Sequence, residues 1–249
     1  MSMISKGFQR LGKLFEYWRK WHLAMLKNRH GKTEDEVIRQ LFGADFISFQ
    51  NEILDDTSFI TEINRRLALE HIRLFGGSQD WHYLLYALIR SQKPDVVVET
   101  GVSHGLSSAT ILKALDVNHK GVLYSIDLPD MVEDNSFLIP KGKKTGWVIP
   151  EHLLERFTLI SGDAKEKLPL VMKDVKLFDV FLHDSCHEKK HTAFELATAY
   201  RHMRQGGLVL CHDAFDTSAF NEFCKAKNLK YINYYNFGIV SMPKGESKR

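Results

Sequence analysis

Cysteine is scarce. Cys186, Cys211 and Cys224 are the three in the chain, no two form a CxxC pair, and an odd, widely spaced set supports neither a disulfide framework nor a zinc finger. Such usage fits a reducing, cytoplasmic setting. Long apolar runs are missing as well: nothing approaches the roughly 20 uninterrupted apolar residues of a membrane-spanning helix. Lys6, Arg10, Lys13, Glu16 and Arg19 interrupt the first residues, where a secretion signal would carry an apolar stretch. Proline is sparse, with six residues in all, and three of them fall at Pro129, Pro140 and Pro150. There is no internal repeat, and the polar end KGESKR is the one biased tract. What is present is a globular balance, 44% hydrophobic and 26% charged over 249 residues, enough to bury a sizeable core.

Charge is unevenly placed. The net value is +3, yet residues 1–32 hold eight Lys or Arg against the single acid Glu16. In the same segment Phe8, Leu11, Phe15, Trp18, His22 and Met25 recur at three and four residues, which predicts an amphipathic helix ending near Asn28 to Gly31. Its apolar face has two fates: packing on its own domain or across a homo-oligomer, the commoner outcome, or peripheral contact with a membrane. Nucleic-acid binding is disfavoured, because no recognition-helix or aromatic-sheet motif accompanies the basic residues. Further helical pattern runs from Ile60 to Phe75, closed by Gly76-Gly77. Another helix places Trp81, Leu84, Leu85 and Leu88 on one face. The first ninety residues therefore read as helical.

After Pro94 the texture changes. Short apolar runs at 96–98, 122–126, 157–160, 178–182 and 208–211 alternate with helical stretches, and runs apolar at every position suit strands covered on both faces of a parallel sheet. A helix is expected from Glu188 to Arg204, closed by Gly206-Gly207, with Ala193, Leu196, Tyr200 and Met203 facing inward. Another spans 217–227, and runs at 231–235 and 237–242 finish the sheet. The fold class is α/β, a doubly wound, mostly parallel, Rossmann-like sheet of about seven strands with an N-terminal helical extension. We divide it into an extension, 1–78, and a main domain, 79–249. The proline-bounded interval 128–150, containing KGKKTGW, forms a lid-like insertion.

The most specific motif is VVVETGVSHGLSS at 96–108: an apolar strand, Glu99 near its end, then Gly101 and Gly105 before a helix. A dinucleotide fingerprint needs GxGxxG, whereas position 103 is Ser, and Glu99 would repel a pyrophosphate. An acid there suits a cationic ligand, such as the sulfonium and amino groups of S-adenosylmethionine.

From Trp81 to Met242 the chain resembles class I S-adenosylmethionine-dependent methyltransferases. The resemblance implies that Glu99, Gly101, Ser103, Gly105 and Ser107 of the first motif, Asp127 ending VLYSID, and Asp163-Ala164 in SGDA hold the cofactor. In it Asp127 meets the ribose hydroxyls and Asp163 the adenine. The stretch from Gly146 to Phe215 is similar to the methyltransferase 24 branch, small-molecule O-methyltransferases with an HDS or DGxH element after the fourth strand and an acidic pair or HD after the fifth. Here these are His183-Asp184-Ser185, with His187 beyond, and His212-Asp213.

The resemblance implies transfer of a methyl group to a hydroxyl of a small acceptor, a sugar or natural product. Asp184 stands beside the cofactor, Asp184, His187 and His212 are the catalytic candidates, and His187 and Trp147 are expected near the acceptor. Two routes to a deprotonated acceptor stay open: a divalent cation such as Mg2+ on Asp184 and Asp213, or proton removal by a base, with His187 first in line. Relatives that bind magnesium carry an Asn where this chain has Ala214. Three rival readings exist. One is a metal-dependent oxygenase or hydrolase using Asp184, His187 and Asp213; another is a non-catalytic binding or scaffolding module tethered through the basic N-terminal helix; the third is a structural zinc on His183, His187 and His191, which strand and helix periodicity argue against. For His183 a buried structural role is expected, and Trp147 is either a loop anchor or an acceptor contact.

Overall fold

The computed structural model of the chain describes residues 45–72, 75, 81–128, 139–234 and 236–243. The basic helix expected over 8–25, Gly76-Gly77 and residues 129–138 of the lid-like insertion lie outside the described residues. The helices α1 (Phe46–Asp55), α2 (Thr57–Leu69) and α3 (His82–Gln92) lead into β1 (Val96–Thr100), α4 (Leu106–Val117) and β2 (Val122–Asp127). A 3-10 turn (Glu151–Arg156) precedes β3 (Phe157–Ser161), α5 (Ala164–Val175), β4 (Phe178–His183) and α6 (Lys189–Tyr200). The chain then forms β5 (Met203–Cys211), α7 (Ala219–Ala226), β6 (Tyr231–Tyr234) and β7 (Phe237–Ser241).

These strands make one seven-stranded sheet in the order β3-β2-β1-β4-β5-β7-β6. The first five are parallel and the β6–β7 hairpin is antiparallel, as expected for a doubly wound sheet. The strand order reverses between β1 and β4, and open α/β sheets bind their ligands at the carboxyl ends beside such a reversal. Alternation along the strands feeds two cores. Val97, Val180, Leu182, Leu208 and Leu210 face a core shared with α1 to α4, while Val98, Phe181 and Val209 face one shared with α5, α6 and α7. Ile53, Ile63 and Leu67 join the first core with no exposure, so α1 and α2 share the sheet's own hydrophobic interior.

Three boundaries differ from the sequence expectation. Helix α2 stops at Leu69, well before Gly76, because His71 turns left-handed at φ 55° and Ile72 N–H donates back to the Leu67 carbonyl. Helix α6 ends at Tyr200, and Met203 already belongs to β5. Gly206-Gly207 lies inside that strand, where a side chain at 207 would strike the Asp179 carbonyl at 2.5 Å. The inward face of α6 is also different: Ala193 is exposed, and His191, Thr192, Glu195, Leu196 and Ala199 are buried. Polar residues on a buried face defeat a hydrophobic-periodicity argument. Among the described residues no helix is long and apolar enough to cross a membrane.

Truncating Ile63 to Ala is expected to lower the unfolding free energy by about 2 to 5 kcal/mol. Urea unfolding should show one transition for helix and sheet together; an unchanged midpoint would separate α2 from this core.

Candidate active site

The turn after β1 is built to let backbone approach backbone. Gly101 lies at φ 85°, and a Cβ there would fall 1.9 Å from the Asp184 carbonyl oxygen, so the β1 turn and the end of β4 touch with no room for a side chain. Gly105, at φ 97°, precedes α4 and packs on Gly146. Between them Ser103 is also left-handed, at φ 49°.

Asp127, at the end of neighbouring β2, fixes that turn. Its Oδ2 accepts from Val102 N at 3.0 Å and Ser103 N at 2.6 Å, and its Oδ1 from Leu128 N at 2.8 Å. Gly162 N–H donates to the Asp127 carbonyl, drawing in the end of β3, where Asp163 caps α5 by accepting from Lys165 N at 2.8 Å. Ala164 is buried in the first turn of that helix. The three acids therefore end three adjacent strands, in three different states. Asp163 is exposed, Asp127 is half-buried, and Glu99 has no exposure at all.

Glu99 sits beneath the turn rather than on its surface. Its Oε2 accepts from Ser108 at 2.5 Å and Ser125 at 2.6 Å, while Oε1 has no hydrogen-bond partner among the described residues. Burial pushes its pKa up to about 7, against the lowering effect of the hydroxyls of Ser107, Ser108 and Ser125.

The ends of β4 and β5 carry the second half of the site. His212 Nδ1 lies 2.7 Å from Asp184 Oδ1, and Asp213 stands beside both imidazoles, 3.4 Å from His187 Nε2 and 3.5 Å from His212 Nε2. The two histidines are driven apart electrically. Burial lowers the His187 pKa despite the two nearby carboxylates, whereas for His212 burial is outweighed by Asp184, with Asp213 and Asp216, and the pKa rises. His187 Nδ1 is buried with no hydrogen-bond partner among the described residues. Among the described residues, a grouping that could hold a cation is Asp184, His187 and His212, with one ligand atom from each lying within 4.8 Å of the others. Asp213, the other carboxylate expected from sequence to hold a cation, flanks that group. His183 and His191 turn away to Glu195, so the three-histidine zinc grouping does not assemble.

The described part of the insertion docks on the glycine turn. Gly146 N–H donates to the Ser103 carbonyl, Val148 N–H to that of His104, and the Trp147 indole N–H to His104 Nδ1 at 3.1 Å. From α2, Arg66 donates to the Ile149 carbonyl at 3.1 Å. Trp147 thus anchors this loop.

Four residues at the site were not singled out from sequence. His104 lies inside the glycine motif yet carried no role. Arg66 looks like any helix-surface cation. Trp81 reads as a core position, but its ring stacks on His212 with centroids 4.7 Å apart. Asn236, from the β6–β7 turn, donates to Asp213 Oδ1 at 2.8 Å, placing an amide beside the site even though Ala214 follows Asp213 in the chain. Only folding reveals Asn236, because 23 residues separate it from Asp213.

The sheet order, the glycine turn and the strand-end acids together define a class I, Rossmann-like methyltransferase fold. Residues 98–214, just under half of the chain, match the methyltransferase 24 family model, described as a methyltransferase domain. Over that stretch the chain is similar to the family, and its fold is the Rossmann-like methyltransferase fold. No curated protein matches it. Among solved structures, the fold is similar to an O-methyltransferase from Bacillus cereus in complex with S-adenosylhomocysteine (SAH), at TM-score 0.53 and 12% identity, covering 80% of this chain and 100% of that one. It is also similar to the O-methyltransferase TomG from Streptomyces achromogenes, involved in tomaymycin synthesis and bound to S-adenosylmethionine, at TM-score 0.53 and 14% identity over 86% and 100% of the chains. A methyltransferase from Geobacter sulfurreducens gives TM-score 0.53 and 16% identity over 77% and 90%.

Glu99 makes stability depend on pH. Its folded pKa lies above the ordinary 4.5, so its contribution is fully present below that value and is lost as pH rises through about 7. In cofactor-free protein, thermal unfolding midpoints measured from about pH 5 to about pH 8 should fall further for the parent than for Glu99→Gln. Parallel profiles would mean that burial does not shift this carboxyl.

Proposed function

We propose that the domain transfers the methyl group of S-adenosylmethionine to a hydroxyl of a small molecule, with His187 as the general base. The observation that carries this reading is the junction of the glycine turn with Asp184, His187 and His212 at the sheet reversal of a methyltransferase domain. The family match favours transfer over an oxygenase or hydrolase.

The residues present fit the cofactor. At Gly101 and Gly105 the turn leaves no room for side chains, so a ligand there meets backbone, and Asp127, whose Oδ2 is taken by Val102 and Ser103 N–H, keeps a free lone pair on Oδ1 for a ribose hydroxyl. Asp163 is exposed at the next strand end, suited to the adenine amino group. When bound, the cofactor supplies an electrophilic methyl group.

The chain's own part is to orient and deprotonate the acceptor. Burial keeps His187 toward neutrality and so able to accept the hydroxyl proton, while Asp213 beside Nε2 stabilises the imidazolium that results. His212, whose pKa is raised by Asp184, suits a charged, orienting role instead. A cation held by Asp184, His187 and His212 would act as a Lewis acid on the acceptor oxygen. It would need a nitrogen lone pair of His187, so cation and base compete for the same imidazole.

Calorimetric titration with SAH tests the cofactor reading: the parent should bind, and Asp127→Ala should lose about 1 to 3 kcal/mol of affinity. Equal affinities would remove Asp127 from the site. For the acceptor step, a panel of sugar and phenolic hydroxyl compounds can be screened for label transferred from S-adenosylmethionine. With the acceptor so found, His187→Asn should lower kcat by about 10² to 10⁴-fold, and turnover should survive EDTA. Loss of turnover in EDTA with recovery on adding Mg2+ would assign the deprotonation to a cation.

A further inference from the structure

Beneath the site lies a buried carboxylate that the chemistry above does not use. Glu195, on the inward face of α6, has no exposure. Its Oε2 accepts from Thr100 Oγ1 at 2.6 Å and lies 2.6 Å from His183 Nδ1; its Oε1 accepts from Ser185 Oγ at 2.8 Å and lies 2.7 Å from His191 Nε2. Four partners fill the roughly four acceptor directions of a carboxylate. They come from the end of β1, the end of β4, the loop after β4 and the preceding turn of α6. Burial alone would raise the Glu195 pKa, but the hydrogen bonds of His183 and His191 outweigh it and hold the group at about 2.

The positions of two partners are telling. Thr100 immediately precedes Gly101, and Ser185 immediately follows Asp184, the two residues whose backbones meet with no room for a side chain. The same junction is tied by Asp184 N–H donating to the Thr100 carbonyl at 2.9 Å. A buried charge costs stability unless fully paired, and an apolar residue would pack there at less cost.

We propose that Glu195 is a positioning residue, whose carboxylate fastens the β1 turn to the end of β4 so that the cofactor turn and Asp184 keep one fixed separation. This rests on the cofactor reading above. Because Glu195 acts through Thr100 and Ser185, its loss should loosen both sides of the junction together, an effect that simple support of α6 would not produce.

The test compares the full-length parent with Glu195→Gln, Ser185→Ala, Thr100→Val and the Glu195→Gln/Ser185→Ala pair, all well below their melting temperatures. SAH affinity is measured by calorimetry and backbone opening by amide hydrogen exchange. Glu195→Gln is expected to weaken SAH binding by about tenfold or more, and the added Ser185→Ala to cost little further, since both remove the same tie. Exchange should quicken in peptides covering 99–105 and 183–188 and stay unchanged in β7. Unaltered SAH affinity with exchange changes confined to α6, or fully additive losses in the pair, would overturn the proposal. Should Glu195→Gln fail to fold, Ser185→Ala and Thr100→Val carry the same expectation individually. Absence of SAH binding by the parent would sink the cofactor reading, while hydrogen exchange would still decide the role of Glu195.

Discussion

The contact between Gly101 and the Asp184 carbonyl is the constraint on which the rest of the site depends. Two parallel strands that diverge at the sheet reversal are held so close at their carboxyl ends that any Cβ at position 101 would overlap backbone. That closeness puts the glycine turn and the Asp184 cluster on one small patch. It is reinforced from three directions: Asp127 holds the turn by its amides, the docked insertion packs against Gly105, and Glu195 grips the strand ends from below. Geometry of this kind is what an in-line transfer needs, because such a reaction gains most from fixed orientation.

Electrostatics then divides labour among residues of the same type. Three carboxylates at or just below the strand ends differ because their surroundings differ: Glu99 is pushed up by burial with one oxygen unpaired, Glu195 is held ionised by two imidazoles, and Asp184 sits against His212. The histidines divide in the same way. His187 is kept toward neutrality and His212 toward charge, although only 5.8 Å separates their rings. Opposite shifts in adjacent titratable groups are the usual signature of assigned acid and base roles.

Much of the strand layout was legible because runs such as VVV and LVLC are apolar at consecutive positions, as strands covered on both faces require. The glycine motif was legible for a similar reason: ETGVSHG departs from the dinucleotide spacing in a way that has chemical meaning. Reasoning by periodicity failed at α6, where His191, Thr192 and Glu195 occupy the buried face and an apolar stripe was expected. Helix patterning assumes that buried means apolar, and a hydrogen-bonded polar face violates that assumption.

By itself the sequence determined the class of fold, the order of strands along the chain, the identity of the turn after the first strand and the acids that end the next two. These follow from local chemistry: hydrophobic runs, glycine's freedom at positive φ, and residues adjacent in the chain. Tertiary structure alone decided which side chains meet. Asn236 reaches Asp213, Trp81 covers His212, Arg66 holds the Trp147 loop, and Glu195 joins Thr100 to Ser185, all through contacts between distant segments. The physical reason is that burial and partner distance set the charge state and orientation of a titratable group. Those two quantities exist only once the sheet has closed around them.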